Sequence, residues 1–138
     1  MTDVALVEKL LARIETHVRE LRTLISPGDV LTDLRAERFA EHTLQIAIQA
    51  AIDVAGHLVS AHRLGEPETT RELFEKLGRA SWLAPEQVDV LQRMTGFRNI
   101  LVHGYAAVDP RIVHDVLTKR LDDFLGFVAA VRSRLGSP

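Results

Sequence analysis

"LQIAIQAAIDVA", residues 44–55, is the stretch that decides the fold. It is apolar on nearly every face of a helix, and a helix of that kind usually lies at the centre of a bundle. No proline interrupts the sequence around it, so the pattern predicts a helix from near Asp29 or Thr32 to about His62. The sequence therefore predicts a protein built around one central helix.

The segments at the two ends each carry an apolar residue at every third or fourth position, as on one face of an amphipathic helix. "SPGD" (residues 26–29) ends the first of these helices, while Asp109 as N-cap and Pro110 as first helical residue begin the last one. In so short a chain we expect the first stripe to serve the core rather than a partner helix. The stripes are Val4, Val7, Leu11, Ile14, Val18, Leu21 and Ile25, and Val113, Leu117, Leu121, Phe124, Val128, Val131 and Leu135.

Two further helices are predicted between them. A loop, "RLGEPETT" (63–70), precedes a short helix over "RELFEKLGRA" (71–80), and a fourth helix runs from about Pro85 toward residue 104. The chain shows no strand pattern and no internal repeat. The sequence thus predicts an all-α fold, an antiparallel helical bundle of four to five helices, in a single domain over residues 1–138.

The composition excludes several classes of protein. Hydrophobic residues make up 46% and charged residues 26%, as in ordinary globular domains, and the absence of cysteine excludes disulfides and thiolate chemistry. With no basic leader and no long uninterrupted apolar run, we expect no signal peptide, no membrane association and a cytoplasmic location. The net charge of −2 and the 5% of aromatic residues mean that any contact with nucleic acid is expected to be local.

"GFRNILVHGY", residues 96–105, places several polar side chains at the end of the fourth helix. Singly they have ordinary roles, such as a histidine at the negative end of the helix dipole and Gly104 as a helix stop. Together, Arg98, Asn99, His103 and Tyr105 are expected to converge, because residues four apart share a helical face and Tyr105 follows directly.

An arginine and a histidine in this setting form the smallest set of catalytic groups that could cleave an RNA phosphodiester without a metal ion. Arg98 would stabilise charge on the phosphorane-like transition state, and His103 would move the proton of the 2′-hydroxyl or of the leaving group. In-line attack needs both a base and an acid, whereas each chain offers one motif histidine. The chemistry therefore predicts a homodimer whose two motifs form a composite active site.

The motif resembles that of a known family. "RNILVHGY" is similar to the RNxxVHxY form of the R-x4-6-H motif of HEPN domains, and "LQRMTGFRNILVHGYAAVDPRIVHDVL" (91–117) is similar to the HepT-like branch. "ERFAEHTLQIAIQAAIDVAGHLVSAHRLGEPETTRELFEKLG" (37–78) fits that branch in order and spacing. The resemblance covers residues from about 3 to 134, and it implies a HEPN-type bundle.

The resemblance implies a function as well. HepT-like proteins are metal-independent endoribonuclease toxins of type II/VII-like toxin–antitoxin modules, and they act as dimers. By motif position, Arg98 and His103 are the catalytic pair and Asn99 shapes the site. The implied partner is a minimal nucleotidyltransferase antitoxin of the MntA type, which transfers AMP from ATP to the motif tyrosine, here Tyr105. The added phosphate would oppose the charge of an RNA substrate.

Asp53 is a further candidate, because it interrupts the apolar central helix one turn beyond Gln49, where a buried carboxylate needs a partner. One interpretation is a structural hydrogen bond or ion pair inside the bundle, including a pair with His57 four residues on. The other is that Asp53 shapes the site by orienting Arg98 or His103 from behind. The histidine spacings fit no shared metal face, so no metal site and no cofactor are predicted.

Two other functions remain open at this point. One is a non-catalytic, nucleotide- or RNA-binding HEPN adaptor subunit, and the other is a helical scaffold in which the motif is incidental. A local surplus of basic residues either lines the entrance of a cleft or forms a solvated face. Between residues 93 and 120 that surplus consists of Arg93, Arg98, Arg111, Lys119 and Arg120 against Asp109 and Asp115.

Overall fold

The computed structural model describes residues 2–104 and 108–136 of the 138-residue chain. Over these residues the chain forms helices and no strand, so the predicted all-α fold is confirmed. In chain order the elements are α1 (Val4–Thr23), a 3₁₀ helix (Pro27–Leu31), α2 (Leu34–Ala61), α3 (Thr70–Arg79), α4 (Pro85–His103), α5 (Pro110–Lys119) and α6 (Leu121–Leu135).

The central helix is α2, as its sequence predicts. It contacts the 3₁₀ helix and all five other α-helices, and its apolar side chains join one hydrophobic cluster to which every α-helix contributes. By length and hydropathy alone α2 would qualify as a membrane span. Half of the most apolar 18-residue segment of α2 is buried among the other helices. The apolar composition of α2 is therefore explained by its position in the interior of the bundle.

The start of α2 lies later than predicted. Residues Pro27–Leu31 form a separate 3₁₀ helix, and α2 begins at Leu34. The Asp33 carboxylate caps this new start by accepting a hydrogen bond from the backbone N–H of Arg35, at 2.9 Å. The capping side chain, rather than the absence of proline, therefore sets the boundary.

The predicted last helix is two helices, which brings the number of α-helices to six among the residues described. The hydroxyl of Thr118 donates to the backbone carbonyls of His114 and Asp115, and Arg120 stands between α5 and α6. Leu117 and Leu121 on either side of the break are both buried. The apolar spacing thus continues across the break, which is why the sequence pattern did not reveal it.

Helix α1 is held to α6 by a charged contact at the edge of the core. The Arg132 guanidinium donates to both carboxylate oxygens of Glu15 at 2.8 Å and to Glu8 at 3.1 Å. These hydrogen bonds lower the pKa of Glu15 below its usual value. On the same helix Val7, Ile14 and neighbouring stripe residues are buried, as expected, whereas Val4 is exposed. The α1 stripe therefore serves the core.

Candidate active site

Arg98 lies on α4 at the side that faces α1 and α2. Its side chain is half-buried, and it lines a groove of about 170 Å³ on the surface of the bundle. Helix α1 contributes one residue to this groove and α2 contributes five. The lining residues are Arg13, Gln45, Ile46, Gln49, Ala50, Asp53 and Arg98.

The guanidinium of Arg98 has no carboxylate partner among the residues described. Its Nη1 donates to the side-chain oxygen of Asn99 at 3.3 Å, and its Nε is buried without a hydrogen-bond partner. A partly buried cation without a counter-charge is a site that an anion can occupy. Arg98 is therefore available to bind a phosphate.

The other basic residues of the predicted local surplus differ from Arg98, because each forms an ion pair close by in sequence. The guanidinium of Arg111, for example, lowers the pKa of the Asp109 carboxyl by hydrogen bonding to it. These neutralised pairs behave as a solvated surface. They are Arg93–Asp89 at 3.2 Å, Arg111–Asp109 at 2.9 Å, Lys119–Asp115 at 3.0 Å and Arg120–Asp123 at 3.7 Å.

His103 is the last residue of α4 and is exposed. Its side chain makes no hydrogen bond or ion pair with any residue in the described part of the chain. The following residue, Gly104, caps the helix, and its N–H donates to the carbonyl of Ile100 at 2.7 Å. The imidazole is therefore open to solvent at the end of a well-formed helix.

Arg98 and His103 do not line one groove within the described part of the chain. The two residues are five positions apart on α4, which corresponds to about 7.5 Å along the helix axis and about 140° around it. Arg98 accordingly lines the groove, and His103 is absent from its lining. Of the four motif side chains expected to meet, the structure joins Arg98 to Asn99 by a hydrogen bond, whereas His103 has no side-chain hydrogen bond to the described residues and Tyr105 lies outside them.

Asp53 is exposed, so the expectation of a buried carboxylate was wrong. The reason is that α2 turns Gln49 and Asp53, one helical turn apart, toward the groove rather than the core. Asp53 accepts a hydrogen bond from Gln49 Nε2 at 2.9 Å. The alternative pair with His57 does not form, because His57 Nε2 accepts from the backbone N–H of Asp3 at 2.9 Å.

Asp53 and Arg98 line the same groove, yet no hydrogen bond or ion pair joins them in the described structure. The groove also contains Arg13 of α1, which sequence reasoning did not select. Nothing in the local pattern distinguishes Arg13 from the other charged residues between the apolar positions of α1. No group of three or more side chains suited to a metal ion occurs within residues 2–104 and 108–136.

The fold and the motif together define a HEPN-type helical domain. Residues 12–131 match the family described as ribonuclease HepT-like, and the chain belongs to that family. It is 32% identical to the tRNA nuclease HepT of Aphanizomenon flos-aquae over 127 residues, covering 92% of this chain and 86% of that protein. It is 33% identical to the mRNA nuclease HepT of Shewanella oneidensis over 134 residues, covering 96% and 99% of the two chains.

Solved structures agree with this assignment. The tri-AMPylated HEPN toxin of Shewanella oneidensis, in complex with an MNT antitoxin, superposes with a TM-score of 0.88 at 27% identity, covering 96% of this chain and 99% of that one. A toxin–antitoxin structure with AMP-PNP gives a TM-score of 0.88 at 25% identity, covering 94% and 98%. The family, the HEPN-type fold and the ribonuclease class predicted from the sequence are thus confirmed.

Proposed function

We propose that this HepT-like ribonuclease is the toxin of a two-component toxin–antitoxin module and cleaves RNA in the cytoplasm without a metal ion. The observation that carries the proposal is the Arg98 guanidinium, which lies half-buried in a groove without a carboxylate partner among the described residues. A phosphodiester is the anion that a ribonuclease must hold at such a site. Arg98 would bind the scissile phosphate and stabilise the charge that develops on it.

His103 is the proposed acid–base residue. Its exposed imidazole has no partner in the described part of the chain, and an imidazole can accept a proton as a base or, once protonated, donate one as an acid. In the reaction, the 2′-hydroxyl loses its proton to a base and its oxygen attacks phosphorus. The 5′-oxygen leaves and receives a proton from an acid. The products are a 2′,3′-cyclic phosphate and a 5′-hydroxyl, and no water is consumed in this step.

One chain does not complete this site, because it offers a single motif histidine whereas the reaction needs both a base and an acid. A homodimer with facing motifs would supply one imidazole as base and another as acid. Asn99 is proposed to hold the Arg98 guanidinium through the hydrogen bond at 3.3 Å. Asp53 is proposed to shape the same groove from α2, where its charge limits the positions that a phosphate can take.

The proposed partner is a nucleotidyltransferase antitoxin of the MntA type, encoded with this toxin. Support comes from the similar Shewanella toxin, which is AMPylated and bound to an MNT antitoxin. We propose Tyr105 as the residue that receives AMP. The tyrosine Oη would attack the α-phosphorus of ATP and displace pyrophosphate. Incubation of the toxin with its antitoxin and ATP should add the mass of AMP to a peptide containing Tyr105, and Tyr105→Phe should prevent the addition.

The central experiment compares RNA cleavage by wild type, Arg98→Ala and His103→Ala in buffer containing a chelator. We expect each substitution to lower the cleavage rate by about 10²-fold or more, because each removes a group that acts in the transition state. His42→Ala is the matched control, since His42 is exposed on α2 and does not line the groove. Full cleavage by both motif variants would refute the assignment, whereas RNA binding by the wild type without any cleavage would favour the adaptor.

A further inference from the structure

We infer that the groove beside Arg98 is a nucleotide subsite of the ribonuclease, in which Arg13 of α1 binds a phosphate adjacent to the scissile one. The inference rests on the proposed function, because Arg98 is assigned there to the scissile phosphate. Arg13 and Arg98 come from different helices and line the same groove. Two guanidinium groups at one groove suit two phosphates of a single RNA strand.

The size of the groove suits one ring of a nucleotide. Its volume of about 170 Å³ is slightly larger than the cavity of about 150 Å³ that holds a benzene ring in an engineered protein. The partly exposed Ile46 provides an apolar surface on α2, against which a base or ribose ring can lie. The polar residues Gln45, Gln49 and Asp53 lie on the same helix at four-residue intervals, so they form one edge of the groove.

The charge of Arg13 is also free to bind an anion. Arg13 is exposed, and its side chain makes no hydrogen bond or ion pair with any residue of the described chain. On the same helix, by contrast, Arg22 is paired with Asp122 at 2.6 Å. The groove contains two arginines and one carboxylate, whereas the whole chain has a net charge of −2. The positive charge is therefore local to the groove, as phosphate binding requires.

The amide side chains give the subsite a means to contact the base. The side-chain amide of Gln45 makes no hydrogen bond to the described residues, so it can donate and accept at the same time. Gln49 donates to Asp53 and keeps its carbonyl oxygen as an acceptor. Bases in single-stranded RNA expose their Watson–Crick edges to such groups. The preferred ligand is thus a nucleotide within single-stranded RNA, with a phosphate on Arg13 and its base edge at Gln45.

Binding is measured in the His103→Ala background, so that cleavage does not interfere. The probe is a fluorescent single-stranded RNA oligonucleotide, and its Kd is determined by anisotropy at several salt concentrations. Arg13→Ala should raise Kd about tenfold, because a charge-assisted contact is lost. It should also reduce the slope of log affinity against log salt by about 0.7, the value for one phosphate contact in single strands. Arg13→Lys should restore the slope, since the charge is retained.

Arg19→Ala is the matched control, because Arg19 is exposed on the same helix, outside the groove, and its removal changes the net charge equally. It should leave Kd and the salt slope as they are. Equal effects of Arg13→Ala and Arg19→Ala, or an unchanged salt slope for Arg13→Ala, would overturn the subsite. Failure of the proposed function would appear elsewhere, as full cleavage by Arg98→Ala and His103→Ala. In the cleavage assay the Arg13 change should act more strongly on KM than on kcat.

Discussion

Dilution of the wild type with His103→Ala chains tests whether the active site needs two copies of the protein. Arg98 lines the groove, whereas His103 lies about 140° farther around α4 and does not line it. If the dimer forms one cleft in which one imidazole is the base and the other the acid, then both histidines must be present. A dimer with one substituted chain should then be inactive.

The expected magnitude follows from counting dimers. Equal amounts of freely exchanging wild-type and His103→Ala chains give homodimers and mixed dimers in a ratio of 1:2:1. If only the wild-type homodimer is active, the mixture retains about a quarter of the activity of undiluted wild type at the same total chain concentration. If each chain carries its own independent site, about half of the activity remains.

The assay follows cleavage of a fluorescent RNA after the two proteins are co-expressed. Chains with different affinity tags allow the mixed dimer to be purified by two successive columns. Assayed before its chains exchange, the purified mixed dimer should be about 10²-fold less active than wild type, because one proton-transfer group is missing. A mixed dimer with His42→Ala should keep full activity, since His42 is exposed and lies outside the groove. Half of the wild-type activity in the purified His103 mixed dimer would refute the composite site.

The remaining predictions concern the scaffold, and chemical denaturation measures each of them. Gly104→Ala should lower the free energy of unfolding by about 1 kcal/mol, because a Cβ there would lie 2.5 Å from the Ile100 carbonyl oxygen; an unchanged value would contradict this contact. Phe127→Ala should cost about 3–5 kcal/mol, since Phe127 is 1% exposed in the core, and a loss below about 1 kcal/mol would be inconsistent with that burial. Arg132→Ala should cost about 1 kcal/mol at neutral pH, as its contacts with Glu15 lie at a partly exposed edge. The pKa of Glu15 is lowered in the folded state, so the stabilisation by the Arg132–Glu15 contact is fully present above the ordinary carboxyl pKa and is lost as pH falls through the lowered pKa. A difference in the free energy of unfolding between Arg132→Ala and wild type that persists in strong acid would argue against this contribution.

The all-α fold was predictable because the helical segments are marked by apolar residues at every third or fourth position and by residues typical of helix ends. The apolar run at residues 44–55 can avoid water on all sides only in the interior of the protein. The structure agrees, because α2, which contains this run, is the central helix. Asp109 and Pro110 likewise begin α5 as expected, with the Asp109 carboxylate accepting from the N–H of Arg111 at 2.9 Å. The division into α5 and α6 was missed, because the apolar spacing continues across the break at Arg120.

Asp53 illustrates the limit of reasoning about burial from a sequence. Its apolar neighbours on α2 suggest a core position, yet its side chain is exposed beside Arg98. A helix that packs against many other helices still exposes part of its surface to solvent. The sequence of that helix alone does not show which of its residues lie on the exposed part. The orientation of the neighbouring helices decides whether a polar residue there becomes a structural ion pair or part of a groove.

The sequence by itself determined the family, the all-α fold and the motif with Arg98 and His103, because these depend on residues close together in the chain. Only the tertiary structure decided that Arg98 faces α1 and α2 while His103 faces solvent. It also decided that Arg13, distant from the motif in sequence, lines the same groove. The physical reason is that helix propensity and periodicity act over a few residues, whereas a binding groove arises from the packing of several helices.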